Sequence, residues 1–269
     1  MNTAESRRLL SLDALRGFDM FWIIGGEGIA HSLAELTGWS LAIWASGQLH
    51  HVEWDGFVFY DMIFPLFLFI AGVAMPFSLT RRSEQGEDRR KLMLHVVRRG
   101  LILVVLGVVY NNGLFQTSIA ETRFPSVLGR IGLAYMFAAL IVLNTRLRGQ
   151  VLWFLGLLLG YWAAMKLIPI PGFGAGQLTV DGSLAGYVDR LLVPGRLYLG
   201  VHDPEGLLAT IPAISTALLG VFAGTLLRRD VPGISRQNKA FLLAGAGVAC
   251  LVLGTLWGFA FPINKNLWS

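Results

Sequence analysis

A histidine and an aspartate lie near each other at the start of a long apolar stretch. His51 opens the segment His-Val-Glu-Trp-Asp-Gly, and Asp61 follows it in the segment Asp-Met-Ile-Phe-Pro. A neutral imidazole can act as a general base or as a nucleophile. A carboxylate inside an apolar, membrane-spanning stretch costs free energy, so its presence there indicates a polar site. The two residues therefore indicate a catalytic pair.

The geometry of this pair depends on how the chain turns between its two members. On one continuous helix they would be about 15 Å apart, so they meet only if the chain after His51 folds back. Pro65 has no N–H and its ring clashes with the carbonyl of Asp61, which predicts a kink there. The positive end of the helix dipole should lower the pKa of His51. Trp54 is a candidate substrate contact; the alternative is that His51 and Trp54 belong to an interfacial aromatic belt.

Other charged and amide side chains at membrane depth are candidates for a binding site. Asp13 and Arg16 are spaced i,i+3 in the first apolar stretch, and so are Arg16 and Asp19. They form either an ion cluster within the helix or the lining of a cavity that admits an anionic ligand from the cytoplasm. For Arg130, the alternative to a site is snorkelling at a helix end. The further candidates for substrate or cofactor contact are Asn111, Asn112, Arg130, Asn264 and Lys265.

The composition places the chain in a lipid bilayer. Of its 269 residues, 54% are hydrophobic and only 14% are charged, and the mean hydropathy is +0.59. A soluble domain has about 25% charged residues, so soluble, disordered and collagen-like classes are excluded. The single cysteine provides no disulfide framework, and no group of ligands has metal-site spacing, so no metal is expected.

Seven apolar stretches are long enough to cross a membrane. Backbone groups in hydrocarbon must be satisfied within their own segment, which predicts helices. We therefore expect an all-α, polytopic bundle of about seven transmembrane helices, forming one domain over residues 1–269. The predicted spans are Leu10–Ala30, Phe57–Leu79, Gly100–Ala120, Ser126–Leu143, Val151–Leu167, Leu207–Leu227 and Phe241–Phe261.

The basic residues orient this bundle. Fifteen lie in one set of loops and near its membrane ends, whereas five lie in the opposite set. By the positive-inside rule the N-terminus is cytoplasmic, and the loops at about 31–56 and 168–206 face outward with the C-terminus. The net charge of +5 thus reflects topology, and no nucleic-acid partner is expected. The fifteen are Arg7, Arg8, Arg81, Arg82, Arg89, Arg90, Lys91, Arg98, Arg99, Arg146, Arg148, Arg228, Arg229, Arg236 and Lys239.

Four motifs carry a resemblance to a known family. They are Ser-Leu-Asp-Ala-Leu-Arg-Gly at 11–17, the block from His51 to Gly72, Arg-Phe-Pro-Ser-Val-Leu-Gly-Arg-Ile-Gly at 123–132 and Pro-Ile-Asn-Lys-Asn-Leu-Trp-Ser at 262–269. The motifs occur in the order in which the heparan-alpha-glucosaminide N-acetyltransferase family has them, and the chain therefore resembles that family. The family includes bacterial relatives linked to amino-sugar use. The His-x-x-Trp-x-Gly block followed by Asp-x-x-Phe-Pro is the more specific part. Leu-Asp-x-x-Arg-Gly also occurs in other membrane acyltransferases.

The resemblance implies a multi-pass enzyme of the cell (inner) membrane. Such an enzyme takes acetyl-CoA from the cytoplasm as co-substrate and acetylates an amino sugar on the far side. The active histidine of the family maps onto His51 and its membrane aspartate onto Asp61, with either an acetyl-histidine or direct transfer. Family members continue with further spans past the Asn-Lys-Asn-Leu-Trp block, so the chain is expected to be short at its C-terminus. A homo-oligomer is left open.

Two other functions remain open at this point. One is an O-acyltransferase that modifies cell-envelope sugars. The other is a sugar or anion transporter, in which the polar helix residues and Pro65 form a midplane site. No inverted repeat is visible in the sequence, which counts against a transporter.

Overall fold

Helices account for the regular structure of the described part of the chain. The computed structural model describes residues 9–114, 118–229 and 235–269, and the predicted cytoplasmic residues Arg7 and Arg8 lie outside these ranges. The helices are α1 (Leu10–Phe21), α2 (Glu27–Thr37), α3 (Ser40–Gln48), α4 (Ile63–Met75), α5 (Arg81–Glu84), α6 (Arg89–Asn112), α7 (Val127–Asn144), α8 (Leu147–Leu167), α9 (Leu184–Leu192), α10 (Thr210–Arg228) and α11 (Arg236–Gly258).

The all-α polytopic class is confirmed. Within the described ranges, six helical stretches are long and apolar enough to cross a membrane, and they correspond to the second to seventh predicted spans. One runs over Phe59–Glu84 and joins a 3₁₀ turn, α4, a π-helical segment (Pro76–Thr80) and α5; the others are α6, α7, α8, α10 and α11. Large apolar side chains such as Phe241 and Leu251 are 76% and 73% exposed on α11, as expected for a surface that meets lipid.

The first predicted span, Leu10–Ala30, is helical but broken. After α1 the chain makes a π-helical turn over Trp22–Gly26, and Gly25 has a φ of 130°, which only glycine adopts readily. The helix then resumes as α2 and continues to Thr37, beyond the predicted end. This segment is not among the six apolar stretches, because it carries several charged residues.

Three further details of the sequence prediction are wrong. The third span ends at Asn112, not at Ala120, because Gly113 follows the helix with a φ of 77°. Pro65 does not kink a helix, since it occupies the first turn of α4, where a backbone N–H has no intrahelical acceptor to lose. The prolines and glycines of the outward loop at 168–206 predict an irregular segment, but the loop contains α9.

The centre of the bundle is formed by α4, α7 and α10. Leu68, Ala134, Ala217 and Leu218 are fully buried there. The backbones of α4 and α10 approach so closely that a Cβ added at Gly220 would overlap the carbonyl oxygen of Phe69. Helices in lipid associate through this kind of close packing, since the bilayer removes most of the hydrophobic drive between them.

Small-residue spacing in the sequence did not by itself identify this contact. Within the predicted spans, three glycine pairs have the small-xxx-small spacing, at 156/160, 220/224 and 254/258. Gly220 and Gly224 both lie against α4, whereas the positions at Gly156, Gly160 and Gly254 open onto free space.

Replacing Gly220 by alanine should therefore destabilise the bundle. The added methyl group must push α4 away from α10, at a cost of about 1–3 kcal/mol, as for overpacked cores. Thermal unfolding of the purified protein in detergent should show a lower Tm for Gly220→Ala. Gly254→Ala is the matched control, and an equal Tm for the two variants would contradict the close packing described here.

Candidate functional site

His51 and Asp61 meet at the end of the bundle where α4 begins. Nδ1 of His51 lies 2.7 Å from Oδ1 of Asp61. The chain between Gln48 and Phe59 contains no helix and folds back over the start of the next helical segment. The predicted condition for their contact, a fold-back after His51, is therefore met.

Asp61 is held by three different groups. It lies in the 3₁₀ turn Phe59–Met62, and its side chain is completely buried. The backbone N–H of Val58 donates to its Oδ2 at 3.2 Å, and Nζ of Lys265 lies 3.4 Å from Oδ1. Buried charges are stable only when paired and hydrogen-bonded, and these contacts satisfy that requirement.

His51 has an environment that favours its neutral form. Burial lowers its pKa below 6.5, and the nearby Lys265 ammonium lowers it further, although Asp61 opposes both effects. The lowered pKa of His51 therefore has two causes, its burial and the positive charge of Lys265. With Nδ1 on the carboxylate, a neutral imidazole keeps its proton on Nδ1 and its lone pair on Nε2. Half of the side chain is exposed, so the site is open on one side.

The C-terminal segment 262–269 carries Lys265 into the site. Asn264 donates from Nδ2 to Asp55 at 3.2 Å and accepts the N–H of Leu267 at 3.0 Å. Nδ2 of Asn266 donates to the carbonyl of Glu53 at 3.2 Å. The segment is thus bound directly to the loop that carries His51. Because Asn264 makes structural contacts on both sides, it places Lys265, its neighbour.

Trp268 anchors the same segment to the membrane helices. Its φ of 55° is unusual for an aromatic residue. In this conformation its indole N–H donates to Thr216 at 3.2 Å, and its ring packs against Phe64 with centroids 5.0 Å apart. The guanidinium of Arg130 lies over the same ring, 4.9 Å from its centroid. The C-terminal segment therefore connects α4, α7 and α10 beneath the site.

Arg130 is not a snorkelling residue, because it is 98% buried. Its exposed fraction is only 2%, and its guanidinium donates to the carbonyl of Pro204. Its Nε has no hydrogen-bond partner among the described residues. Arg130 and Glu205 also line a cavity of about 180 Å³ whose other walls are mostly apolar. A buried cation therefore borders a small cavity between α6, α7 and the chain that joins α9 to α10.

An ion-pair network closes the site on the side of the 168–206 loop. Arg123 donates two hydrogen bonds to Asp203, at 2.8 and 2.7 Å, and a third to Glu205. Asp203 is completely buried and also accepts the backbone N–H of Tyr198 at 3.0 Å. Sequence analysis missed Arg123, Asp203 and Glu205, because residues in a loop contribute only to a charge count until their partners are known.

The predicted residues Asn111 and Asn112 support this network from the end of α6. Nδ2 of Asn111 donates to the carbonyl of Pro125 at 2.8 Å. Asn112 donates to the carbonyl of Arg123 at 2.9 Å and accepts its backbone N–H at 2.8 Å. Their amides thus hold the chain around Arg123, and a role in substrate binding stays a prediction.

Trp54 and His202 lie together at the edge of the site. Their rings meet edge to face with centroids 5.1 Å apart, and the Trp54 indole donates to the carbonyl of Leu178 at 2.8 Å. His202 is fully buried, and burial lowers its pKa to about 4. His202 is therefore neutral near pH 7 and closed to solvent, whereas His51 is open.

Asp13 and Arg16 lie at the other end of the first helical segment. They form an ion pair at 3.3 Å, as the i,i+3 spacing predicted, and both side chains are largely exposed. Among the described residues neither Asp13 nor Arg16 contacts His51 or Asp61, so the pair is not part of their site. The second predicted pairing is not formed, since both carboxylate oxygens of Asp19 are buried without a hydrogen-bond partner in the described chain. A contact of Asp13 and Arg16 with a cytoplasmic ligand stays a prediction.

Comparison with known sequences now identifies the family. The domain of unknown function DUF5009 matches residues 8–155, which is more than half of the chain and includes both His51 and Asp61. The chain belongs to the DUF5009 family. Lys265 and the segment around it lie outside the matched region.

This DUF5009 protein also has two mammalian relatives. It is 31% identical to the heparan-alpha-glucosaminide N-acetyltransferase of Mus musculus and 30% identical to that of Homo sapiens. Each match covers 81% of this chain and 41% of the relative, so the chain spans about two fifths of the length of the curated relatives it matches. The resemblance to these acetyltransferases that the sequence motifs indicated is confirmed.

Removing the charge of Asp203 in this DUF5009 protein should loosen the loop that closes the site. Asp203→Asn leaves Arg123 half-buried with a weaker partner, and breaking a buried ion pair costs about 3–5 kcal/mol. Hydrogen exchange should rise over residues 195–206, and the Tm should fall. Asp181→Asn is the control, because Asp181 lies exposed in the same loop. Unchanged exchange at 195–206 would show that the network does not hold the loop.

Proposed function

We propose that this protein is a membrane-bound N-acetyltransferase. It transfers an acetyl group from cytoplasmic acetyl-CoA to the amino group of a glucosamine or glucosaminide on the outer side of the cell membrane. The observation that carries the proposal is the 2.7 Å contact between His51 and the buried Asp61 in a relative of the heparan-alpha-glucosaminide N-acetyltransferases. The charge asymmetry of the loops supports a cytoplasmic N-terminus.

His51 acts as the base or as a transient acetyl carrier. In direct transfer, the amine nitrogen attacks the thioester carbonyl and the carbon–sulfur bond breaks. Nε2 of His51 takes a proton from the nitrogen and delivers it to the sulfur, which leaves as the CoA thiol. In the two-step form, Nε2 itself attacks the thioester, the carbon–sulfur bond breaks and CoA leaves as the thiolate. The amine then attacks the acetyl-imidazole, the bond from carbon to Nε2 breaks, and the proton released from the amine nitrogen converts the thiolate to the CoA thiol. Both forms need the lone pair of His51 on Nε2.

Asp61 positions this imidazole and fixes its tautomer. A buried carboxylate on Nδ1 stabilises the imidazolium that forms when Nε2 takes up a proton. Lys265, on the same carboxylate, brings a positive charge to where the thioester oxygen becomes negative. Burial lowers the pKa of Lys265 as well, while Asp61 and Glu205 favour its charged form. Trp54, Asn264 and Arg130 surround the acceptor and the acyl group in this proposal.

CoA itself would be bound from the cytoplasmic side. Asp13, Arg16, Arg98 and Arg99 lie toward that end of their helices in the predicted topology, and arginine pairs well with phosphate. The residues Asn111 and Asn112 keep the outer chain around Arg123 in place. The opposite placement of basic residues and of His51 suits a reaction whose two substrates arrive from different sides.

The contacts of His51 and Asp61 count against a transporter, whereas an O-acyltransferase has to be distinguished by its acceptor. A transporter needs a site that can open to both sides, and it has no need for an imidazole oriented by a buried carboxylate. An O-acyltransferase could use the same histidine, and only the acceptor distinguishes it.

Replacing His51 should abolish transfer without unfolding the protein. With labelled acetyl-CoA and glucosamine, the unaltered protein in vesicles should release CoA and form the acetamide, and His51→Ala should lower the rate by at least about a hundredfold. His50→Ala is the control, because His50 is exposed and contacts the backbone of Ser46. Full activity of His51→Ala would remove this residue from the mechanism. Sugar flux without CoA release would favour a transporter, and a hydroxylamine-labile ester product an O-acyltransferase.

The pH dependence should report the cation next to His51. Because the pKa of His51 is lowered, activity at saturating acetyl-CoA should fall only below pH 6.5, as the imidazole becomes protonated. Lys265→Met removes a charge that lowers this pKa, so the acidic limb of kcat/KM should move to higher pH. Lys166→Met, at the end of α8, is the control with the same change in charge. An unmoved limb in Lys265→Met would mean that another group controls the profile.

A further inference from the structure

Glu27 lies at the point where the broken first helix resumes. The π-helical turn Trp22–Gly26 precedes it, and Gly26 is buried with the ring of Phe21 where a Cβ would be. Such turns change the direction in which the following side chains point, and they occur often at functional sites. The break therefore sets the direction of the Glu27 carboxylate independently of α1.

Glu27 reaches the neighbourhood of His51 through one aromatic residue. The carboxylate of Glu27 lies close to the hydroxyl of Tyr60. The ring of Tyr60 packs against the imidazole of His51, with centroids 4.7 Å apart and planes tilted by 34°. The carboxylate, the phenol and the imidazole thus follow one another along one side of the site.

The carboxylate of Glu27 has an unused acceptor. Its Oε2 is buried and has no hydrogen-bond partner among the described residues. The two carboxylates that raise the pKa of His51 are occupied, since Asp61 contacts His51, Val58 and Lys265, and Glu205 pairs with Arg123. A buried acceptor without a partner is costly, so a donor supplied by a ligand would be favourable here.

We propose that Glu27 binds the protonated amine of the acceptor and takes its first proton. This inference rests on the proposed acetyl transfer and names the chemical class of its acceptor, a primary ammonium. The ammonium donates to Oε2 and transfers one proton to it, leaving a neutral amine and a carboxylic acid. The nitrogen then attacks the acetyl carbonyl, the carbon–sulfur bond breaks, and His51 carries the second N–H proton to the sulfur. The products are the amide, the CoA thiol and protonated Glu27, which returns its proton to water.

The position of Glu27 would also select amines over hydroxyl groups. A carboxylate binds an ammonium through charge as well as through a hydrogen bond, whereas a sugar hydroxyl offers only the latter. His51 and Asp61 do not make this distinction, because they serve either acceptor equally well. Glu27 is therefore the specificity-determining residue of the site.

Steady-state kinetics with the full chain in detergent test this proposal. Glu27→Gln keeps the size and polarity of the side chain and removes its charge. We expect kcat/KM for glucosamine to fall at least about tenfold through a higher KM, while the KM for acetyl-CoA changes less than about twofold. Glu35→Gln, on the exposed side of α2, is the matched control and should behave like the unaltered protein. An unchanged KM for glucosamine in Glu27→Gln, with or without a lower kcat, would overturn the proposal.

Two further measurements keep the test decisive. If Glu27→Gln does not fold, Tyr60→Phe removes the hydroxyl that lies beside Glu27 but keeps the ring on His51. The KM for glucosamine should then rise while the KM for acetyl-CoA does not; no rise would overturn the proposal.

If the unaltered protein transfers no acetyl group, the proposed function fails by itself. Equilibrium binding of glucosamine against neutral glucose then decides on Glu27: a preference for glucosamine that Glu27→Gln loses supports the ammonium site, and equal binding refutes it.

Discussion

The burial of Asp61 is the constraint on which the site depends. A carboxylate at the end of a membrane helix is unstable unless donors reach it, and no donor is available within the apolar sequence of α4. The donors come from two distant parts of the chain: His51 from the loop before the helix and Lys265 from the C-terminal segment. Satisfying one buried charge therefore forces these segments to converge. The same convergence produces an oriented imidazole.

The C-terminal segment makes that convergence rigid. Asn264 and Asn266 connect it to the loop of His51, and Trp268 connects it to the helices. The left-handed backbone of Trp268 is energetically unfavourable for an aromatic residue, so its surroundings must enforce it. Arg130 contributes by lying over the indole, which gives this buried cation an electrostatic partner. The membrane helices and the catalytic loop are thereby fixed relative to one another.

Sequence reasoning gave the helices and the central pair but not what surrounds them. Apolar length predicts spans well because lipid permits little else, and His51 and Asp61 were identifiable because charges are rare in such stretches. The break at Gly25 and the early end of the third span depend on single glycines with positive φ, and the sequence alone does not show which glycines adopt that conformation. The roles of Arg123 and Glu205 depend on partners about 80 residues away, as the Arg123–Asp203 contact shows. No spacing rule in a single sequence reveals such pairs.

The broken first helix supplies the site with a second carboxylate, that of Glu27, in addition to Asp61. Asp61 is fully enclosed and already paired with His51 and with the Lys265 ammonium, so it can orient a base but cannot hold a substrate cation. A catalyst for a protonated amine needs a separate carboxylate whose charge is still available. Glu27 meets that need because a π-helical turn, not a regular helix, places it beside Tyr60. The irregular backbone thus divides two tasks that one carboxylate could not perform together: fixing the base and receiving the acceptor.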